Sequence, residues 1–236
     1  MPAKAIYRVV VPAAGAGRRM ASGIPKQYLP LAGKTVIEHT LDALLSCAHI
    51  DSIVVAVAPD DDHWPAIARR YNQRPVESVT GGEQRCHTVL NALDHLARSA
   101  QDHDWVLVHD AARPCLRADD VASLINSLTD DDSGGLLGVP VADTMKQVGA
   151  NGRVERTVDR EGLWHALTPQ MFRLGTLRSA LRQALSAGQQ VTDEAAAMEL
   201  AGHRPRMVQG HRDNIKITLP ADLALAAFHL QARSTT

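Results

Sequence analysis

The sequence contains few aromatic residues, few cysteines and almost no excess charge of either sign. Aromatic residues make up 3% of its 236 residues, which argues against the stacking platforms that bind single-stranded nucleic acid. The formal net charge is −1, so we expect no nucleic-acid or membrane surface built on bulk charge. Any anion-binding site must therefore be local.

The three cysteines, Cys47, Cys86 and Cys115, lack the spacing of a zinc site, and an odd number cannot all pair within one chain. The N-terminal apolar run is interrupted by Arg8 and does not have the form of a signal peptide. No apolar run is long enough to span a bilayer. These features predict a cytoplasmic protein with reduced thiols and no membrane partner.

Strand-like apolar runs alternate with helical patterns over the first 140 residues. The strand-like runs are Ile6–Val11, Ser52–Val57, Pro75–Val79, Trp105–Val108 and Leu136–Val139, and the helical patterns are Val36–Cys47, Asp61–Tyr71, Glu83–Arg98 and Asp119–Leu128. This alternation predicts an α/β fold: a Rossmann-like, mostly parallel twisted sheet with helices on both faces. Ligands of such sheets bind beyond the carboxyl ends of the strands.

The alternation then stops at a segment that predicts a β-hairpin. Two strand-like runs flank Asn151-Gly152, a strong hairpin signal. An isolated two-stranded ribbon is marginally stable in water, and these runs contain few apolar residues. We therefore expect residues 141–163 to form a protruding arm that packs on the same arm of a second subunit, giving a homodimer. A hairpin folded back on its own sheet is the alternative.

The remaining segments are predicted from their apolar spacing and their helix-start signals. Helices are expected at Leu174–Ala187 and Asp193–Leu200, strands at Met207–Gln209 and Asn214–Thr218, and a last helix from Pro220. The segment from Thr80 to Glu83 has the form of a capping box, with Thr80 as the cap. Thr192 is expected to cap the helix whose acidic start is Asp193-Glu194.

The most informative motif follows the first strand. Residues 12–17 are small, Arg18 and Arg19 come next, and Lys26 follows shortly after. The third position of a dinucleotide fingerprint is Met20 rather than glycine, and no Walker A spacing is present. Small residues allow close approach of backbone N–H groups, and the neighbouring cations suit a polyphosphate. The combination resembles the signature loop of sugar-phosphate nucleotidyltransferases.

Two further positions carry candidate chemistry. Asp110 ends the strand Trp105–Val108, where a carboxylate is able to hold Mg²⁺; a helix cap or a salt bridge to Arg113 explains it equally well. Lys216 lies between Ile215 and Ile217, so in an alternating strand it faces away from them, into a cleft. Neither a Gly-x-Ser-x-Gly elbow nor a Cys/His nucleophile signature is present.

Several long motifs occur together in one order along nearly the whole chain. They are residues 12–20, 25–28, 108–114, 143–146, 158–160, 163–170, 192–194 and 213–216. Through these motifs the chain resembles the 2-C-methyl-D-erythritol 4-phosphate cytidylyltransferases. The resemblance implies one nucleotidyltransferase domain over residues 1–236, with 141–163 as a dimerisation arm. It also implies a reaction of CTP with 2-C-methyl-D-erythritol 4-phosphate, in the non-mevalonate isoprenoid pathway, with Mg²⁺ or another divalent cation.

The resemblance also assigns site residues. It implies CTP binding by Pro12, Ala13, Ala14, Gly15, Gly17, Gly82, Thr88, Asp110 and Ala111, with Asp110 as the metal ligand. It implies catalytic roles for Arg19, Lys26 and Lys216. It implies binding of the sugar phosphate by Thr144 and Arg160 from the partner's arm and by Thr168, Thr192, Arg113 and Asp213. Two alternatives remain: a cytidylyltransferase for another polyol phosphate, such as ribitol 5-phosphate, and a non-catalytic nucleotide sensor.

Overall fold

The computed structural model describes residues 5–15 and 23–234. Its strands are β1 (Tyr7–Pro12), β2 (Pro30–Leu31), β3 (Lys34–Thr35), β4 (Ser52–Val57), β5 (Val76–Thr80), β6 (Trp105–Val108), β7 (Gly135–Pro140), β8 (Met145–Val148), β9 (Val154–Val158), β10 (Trp164–Arg173) and β11 (Arg206–Gln209). Its α-helices are α1 (Val36–Leu45), α2 (Trp64–Ala68), α3 (Arg85–Leu96), α4 (Ala118–Leu128), α5 (Leu174–Ser186), α6 (Glu194–Leu200) and α7 (Pro220–Ser234).

Seven strands form the central sheet in the order β11-β7-β10-β6-β1-β4-β5. Six of these strands run in the same direction, and β10 is antiparallel to both of its neighbours. The predicted mostly parallel sheet is confirmed. Strand β10 was missed because Pro169 lies inside it, and proline interrupts the pattern of a strand. The β7–β10 pairing shifts register between Ala166 and Gln170, and this irregularity accommodates the proline.

The sheet is covered on both faces, as the alternation predicted. Along β1, Val9 and Val11 join one apolar cluster with α1, α2 and α4, whereas Val10 joins a second cluster with α3, α5 and α6. Successive side chains of a strand point to opposite faces, so one strand contributes to both clusters. Helix α7 packs elsewhere, against Leu29, Leu31 and Cys115. Both faces of the sheet are thereby packed beneath the loops at its carboxyl edge.

Three local predictions were wrong. Residues 214–218 form no strand; Ile217 N instead donates to the Ala112 carbonyl at 2.8 Å. Thr80 is not a helix cap but the last residue of β5, because Gly81 N donates to the Val57 carbonyl at 2.7 Å and extends the strand pairing; Gln84 precedes α3. The cap of α6 is Asp193 rather than Thr192, since the Asp193 carboxylate accepts from Ala196 N.

The predicted hairpin is present as an arm inserted between β7 and β10. Strands β8 and β9 form their own two-stranded sheet, and Gly152 closes the turn at a φ of 74°. Nearly every residue of the two strands is exposed, including the apolar Met145, Val148 and Val154. The arm thus leaves apolar side chains in solvent, and its role in dimerisation stays a prediction.

Within residues 5–15 and 23–234, no helix has the length and apolar character needed to cross a membrane. The three cysteines are buried and unpaired.

Candidate active site

A cleft opens at the carboxyl ends of β1 and β6, next to the start of α3. The loop after β1, the segment after β6 and residues 82–85 form its walls. Every described residue predicted for CTP binding lines this cleft, together with both predicted catalytic lysines: Pro12, Ala13, Ala14, Gly15, Gly82, Thr88, Asp110, Ala111, Lys26 and Lys216. The position agrees with the rule that ligands bind where parallel strands end.

Two predicted residues of the loop after β1, Gly17 and Arg19, lie outside the described residues. Their roles at the nucleotide stay predictions. The described part of the loop ends at Gly15, which lines the cleft.

Gln27 anchors this loop, a role that the sequence analysis missed. The residue is 4% exposed, and its side-chain amide donates to the carbonyl oxygens of Ala13 at 2.7 Å and Gly15 at 3.2 Å. The adjacent Lys26 ammonium donates to the Ile217 carbonyl at 2.9 Å. Residues 26–28 therefore tie the loop after β1 to the segment that carries Lys216. The signals in the sequence were its position beside Lys26 and its place in the motif of residues 25–28.

The opposite wall requires glycine at Gly81. A Cβ atom there would lie 2.6 Å from the Ala14 Cβ, closer than side chains pack. Gly82 N donates to the Thr88 hydroxyl at 3.1 Å, and that hydroxyl donates to the Gln84 carbonyl at 3.0 Å. Thr88 thus shapes the turn at the wall of the cleft. Its predicted contact with cytosine remains a prediction.

Asp110 lies at the centre of a cluster of cations at the base of the cleft. Its Oδ1 is 3.1 Å from Arg85 Nε, and its Oδ2 is 3.3 Å from Arg113 Nε and 2.8 Å from Lys216 Nζ. Burial alone raises the pKa of this carboxyl, but the charges of the three cations outweigh burial and hold its pKa far below the ordinary range. Asp110 is therefore a fixed negative charge. The salt bridge to Arg113 is present as well.

A chain of hydrogen bonds holds the backbone of Asp110. The Asp110 N–H donates to the Thr168 hydroxyl at 3.2 Å, which is 3.0 Å from His109 Nδ1. His109 Nε2 is 3.1 Å from the Arg113 carbonyl. A carbonyl only accepts, so Nε2 carries the proton, and Nδ1 accepts from the Thr168 hydroxyl. Burial lowers the pKa of His109 to about 4, which matches this neutral ring.

These hydrogen bonds use the single proton of the Thr168 hydroxyl, and Thr168 is 4% exposed. The structure thus places Thr168 behind Asp110. Its predicted contact with the sugar phosphate stays a prediction.

A second cleft adjoins the first at Lys216, which lines both. Arg113, Asp143, His165 and Arg212 contribute to its walls. Asn214, whose role was not predicted from the sequence, also lines this cleft. Its side-chain amide donates to the Thr168 carbonyl at 2.7 Å, and its backbone carbonyl accepts from Arg113 Nη1 at 2.7 Å. Asn214 therefore holds both neighbours in place. Lys216 is positioned to contact ligands in both clefts.

Of the six residues predicted to bind the second substrate, Arg113 lines this second cleft. Thr144 and Arg160 lie at the base of the exposed arm, where the Arg160 guanidinium donates to the Ala142 carbonyl. Thr192 is exposed ahead of α6. Asp213 accepts from Arg117 at 2.5 Å and from Arg233 at 2.7 Å, so it joins the start of α4 to the end of α7.

The described residues contain no group of three or more His, Cys, Asp or Glu side chains arranged for a metal ion. Asp110 nevertheless fits a Mg²⁺ ion held jointly by one carboxylate and the phosphates of a nucleotide, the usual arrangement for this ion. A carboxylate has about four lone-pair positions, and three cations already contact Asp110. This count leaves about one lone-pair position of Asp110 for a metal ion.

Comparisons with known proteins match nearly the whole chain. The model of the 2-C-methyl-D-erythritol 4-phosphate cytidylyltransferase family matches residues 7–232. A relative of that name from Hahella chejuensis is 53% identical over 223 residues, which is 94% of this chain and 92% of the relative. A second, from Pseudomonas fluorescens, is 53% identical over 92% of each chain.

Solved structures are also similar. A 4-diphosphocytidyl-2C-methyl-D-erythritol synthase superposes with a TM-score of 0.84 at 37% identity, covering 96% of this chain and 100% of the other. The 2-C-methyl-D-erythritol 4-phosphate cytidylyltransferase of Francisella tularensis gives a TM-score of 0.81 at 37% identity, covering 95% of this chain and 100% of the other. The chain therefore belongs to the 2-C-methyl-D-erythritol 4-phosphate cytidylyltransferase family.

Proposed function

We propose that this protein transfers CMP from CTP to 2-C-methyl-D-erythritol 4-phosphate, giving 4-diphosphocytidyl-2-C-methyl-D-erythritol and pyrophosphate, in the non-mevalonate isoprenoid pathway. Membership of the family supports the reaction class. The observation that carries the proposal is geometric. Lys26, Lys216 and Asp110 meet in one cleft, and Lys216 also lines the second cleft beside it.

The chemistry needs positioning and charge neutralisation more than proton transfer. A phosphate oxygen of the acceptor attacks the α-phosphorus of CTP in line, and pyrophosphate leaves. The second pKa of a phosphate monoester is about 6, so the nucleophile is already an anion at neutral pH and no general base is required. The neutral His109, buried behind Asp110, fits a site without such a base. Catalysis then comes from holding two anions together.

Each cation has a place in this scheme. Lys26, at the wall of the nucleotide cleft, is proposed to neutralise the triphosphate, and Arg19 is proposed to assist it. Lys216 contacts both clefts, so we assign it the bridging position between the α-phosphate and the attacking phosphate. Arg113 faces the acceptor side. In the absence of substrates Asp110 neutralises Lys216, and we propose that Lys216 exchanges this partner for a phosphate when the substrates bind.

Asp110 is the proposed protein ligand of a divalent cation, with the nucleotide phosphates as the other ligands. When bound, Mg²⁺ supplies additional positive charge at the triphosphate.

We also propose that residues 1–236 form one nucleotidyltransferase domain that dimerises through the 141–163 arm, and that the enzyme works in the cytoplasm. The exposed apolar residues of the arm, Met145, Val148 and Val154, support an interface there. In such a dimer Thr144 and Arg160 would reach the second cleft of the other subunit. The buried, unpaired cysteines suit a reducing compartment.

The test is pyrophosphate release from CTP and Mg²⁺ with 2-C-methyl-D-erythritol 4-phosphate, with ribitol 5-phosphate as a parallel acceptor. We expect release with the first acceptor alone. Release with ribitol 5-phosphate alone would keep the chemistry and overturn the substrate. CTP binding without release in either reaction would instead identify a nucleotide sensor.

A further inference from the structure

Arg85 joins the nucleotide cleft to helix α6 through a second, deeply buried carboxylate. Its Nε donates to Asp110 Oδ1 at 3.1 Å, and its two Nη atoms donate to Glu194 Oε1 and Oε2 at 2.7 and 3.0 Å. Glu194 is 1% exposed. Burial lowers the pKa of Arg85, but Glu194 and Asp110 more than reverse this and raise it. The guanidinium is therefore a permanent cation whose three contacts fix its plane.

We infer that the Arg85–Glu194 pair is a positioning device that allows Lys216 to leave Asp110 for a phosphate. This inference rests on the proposed function. Lys216 Nζ and Arg113 Nε both contact Asp110 Oδ2, at 2.8 and 3.3 Å. Departure of Lys216 removes the shorter of these two contacts, and a buried carboxylate that loses a cation is destabilised. Arg85 contacts the other oxygen, Oδ1, and so keeps Asp110 paired and oriented when Lys216 departs.

Glu194 makes Arg85 suitable for this task. It neutralises the guanidinium, so Arg85 adds no net charge to the cluster, and its two oxygens orient the fork. Glu194 also begins α6, two residues after Thr192, which is predicted to bind the second substrate. The same pair therefore links the walls of the nucleotide site to the start of α6.

The experiment uses Arg85→Lys, because lysine keeps the charge but has no fork to reach both carboxylates. We expect kcat/KM for the acceptor to fall by about 10–100-fold, the usual effect of losing a group that orients a functional residue. The matched control is Arg178→Lys: Arg178 Nε also donates to a carboxylate, that of Asp94, at 2.5 Å, and neither residue lines the cleft. The control is expected to match the wild type.

A double-mutant cycle separates positioning from general structural support. In a Lys216→Ala background there is no lysine to release, so Arg85→Lys should change kcat/KM by no more than about 2-fold, the scatter of independent sites. Equal losses in both backgrounds, or a loss below about 2-fold in the wild-type background, would overturn the inference. If Arg85→Lys does not fold, Glu194→Gln replaces it in the same double-mutant cycle, because this substitution keeps Arg85 and the size of the side chain at position 194.

Failure of the proposed function gives a different result. The wild-type enzyme would then not release pyrophosphate with 2-C-methyl-D-erythritol 4-phosphate, and the cycle is run with ribitol 5-phosphate if that acceptor reacts. Calorimetric titration of the four proteins with CTP provides a reading without turnover. We expect the same dependence on Lys216 there, and additive changes in CTP affinity would count against the inference.

Discussion

Replacing Thr168 with valine tests the hydrogen-bonded chain that holds Asp110. The Thr168 hydroxyl accepts from the Asp110 amide at 3.2 Å and donates to His109 Nδ1 at 3.0 Å, all within the buried base of the cleft. Valine preserves the shape of threonine but leaves both partners unpaired. An unpaired buried polar group costs about 1–3 kcal/mol, so we expect Thr168→Val to lower the free energy of unfolding by about 2–6 kcal/mol.

Urea unfolding followed by circular dichroism measures this loss. Thr168→Ser is the matched control, because serine keeps the hydroxyl and removes one methyl group at a cost of about 1 kcal/mol. Serine should therefore be the more stable variant, and it should retain activity. A valine variant as stable as the serine variant would refute the reasoning, since the hydroxyl would then contribute nothing to holding Asp110.

Three further predictions concern other parts of the molecule. Lys26→Ala should lower kcat for pyrophosphate release by about 10²–10³, the usual effect of removing one well-placed charged donor; a loss of only a few-fold would contradict the role of Lys26. Arg160→Ala should raise KM for the sugar phosphate and leave KM for CTP unchanged, whereas an unchanged acceptor KM would place Arg160 outside the site. Burial raises the pKa of the Cys47 and Cys115 thiols to about 11. At pH 8 their thiolate fraction is therefore about 10⁻³. A colorimetric disulfide reagent should modify these two cysteines only after the protein unfolds. Rapid modification in the native protein would show that the thiols are not buried as described.

The sequence identified the parts of the cleft that short motifs encode. The small-residue loop after β1, Lys26 and Asp110 are each marked by residue type and by position at the end of a strand-like run. Parallel strands end at one edge of their sheet, so the predicted fold already implied that these residues meet. The structure confirms the fold and brings together the described members of the set. Their contacts with substrates remain predictions.

Some local predictions failed because tertiary contacts changed the outcome. The pattern Ile215-Lys216-Ile217 resembles a strand, but the Ile217 N–H pairs with a loop carbonyl, that of Ala112. Lys216 still lines the cleft, but the hydrogen bond of Ile217 to this loop places it there rather than the alternation of side chains along a strand. Thr80 and Glu83 match a capping box, but the pairing of β4 with β5 extends to Gly81 and uses the residues that would form the cap.

The sequence by itself determined the family, the sheet with two covered faces, the hairpin and the position of the small-residue loop at the end of the first strand. Hydrophobic periodicity and turn chemistry are local properties, and the motifs lie within a few residues of one another. Only the tertiary structure decided which side chains share the charge of Asp110. Arg85 and Lys216 are separated from it by 25 and 106 positions along the chain. No local pattern specifies such a meeting, because it depends on how the sheet brings distant segments to one edge.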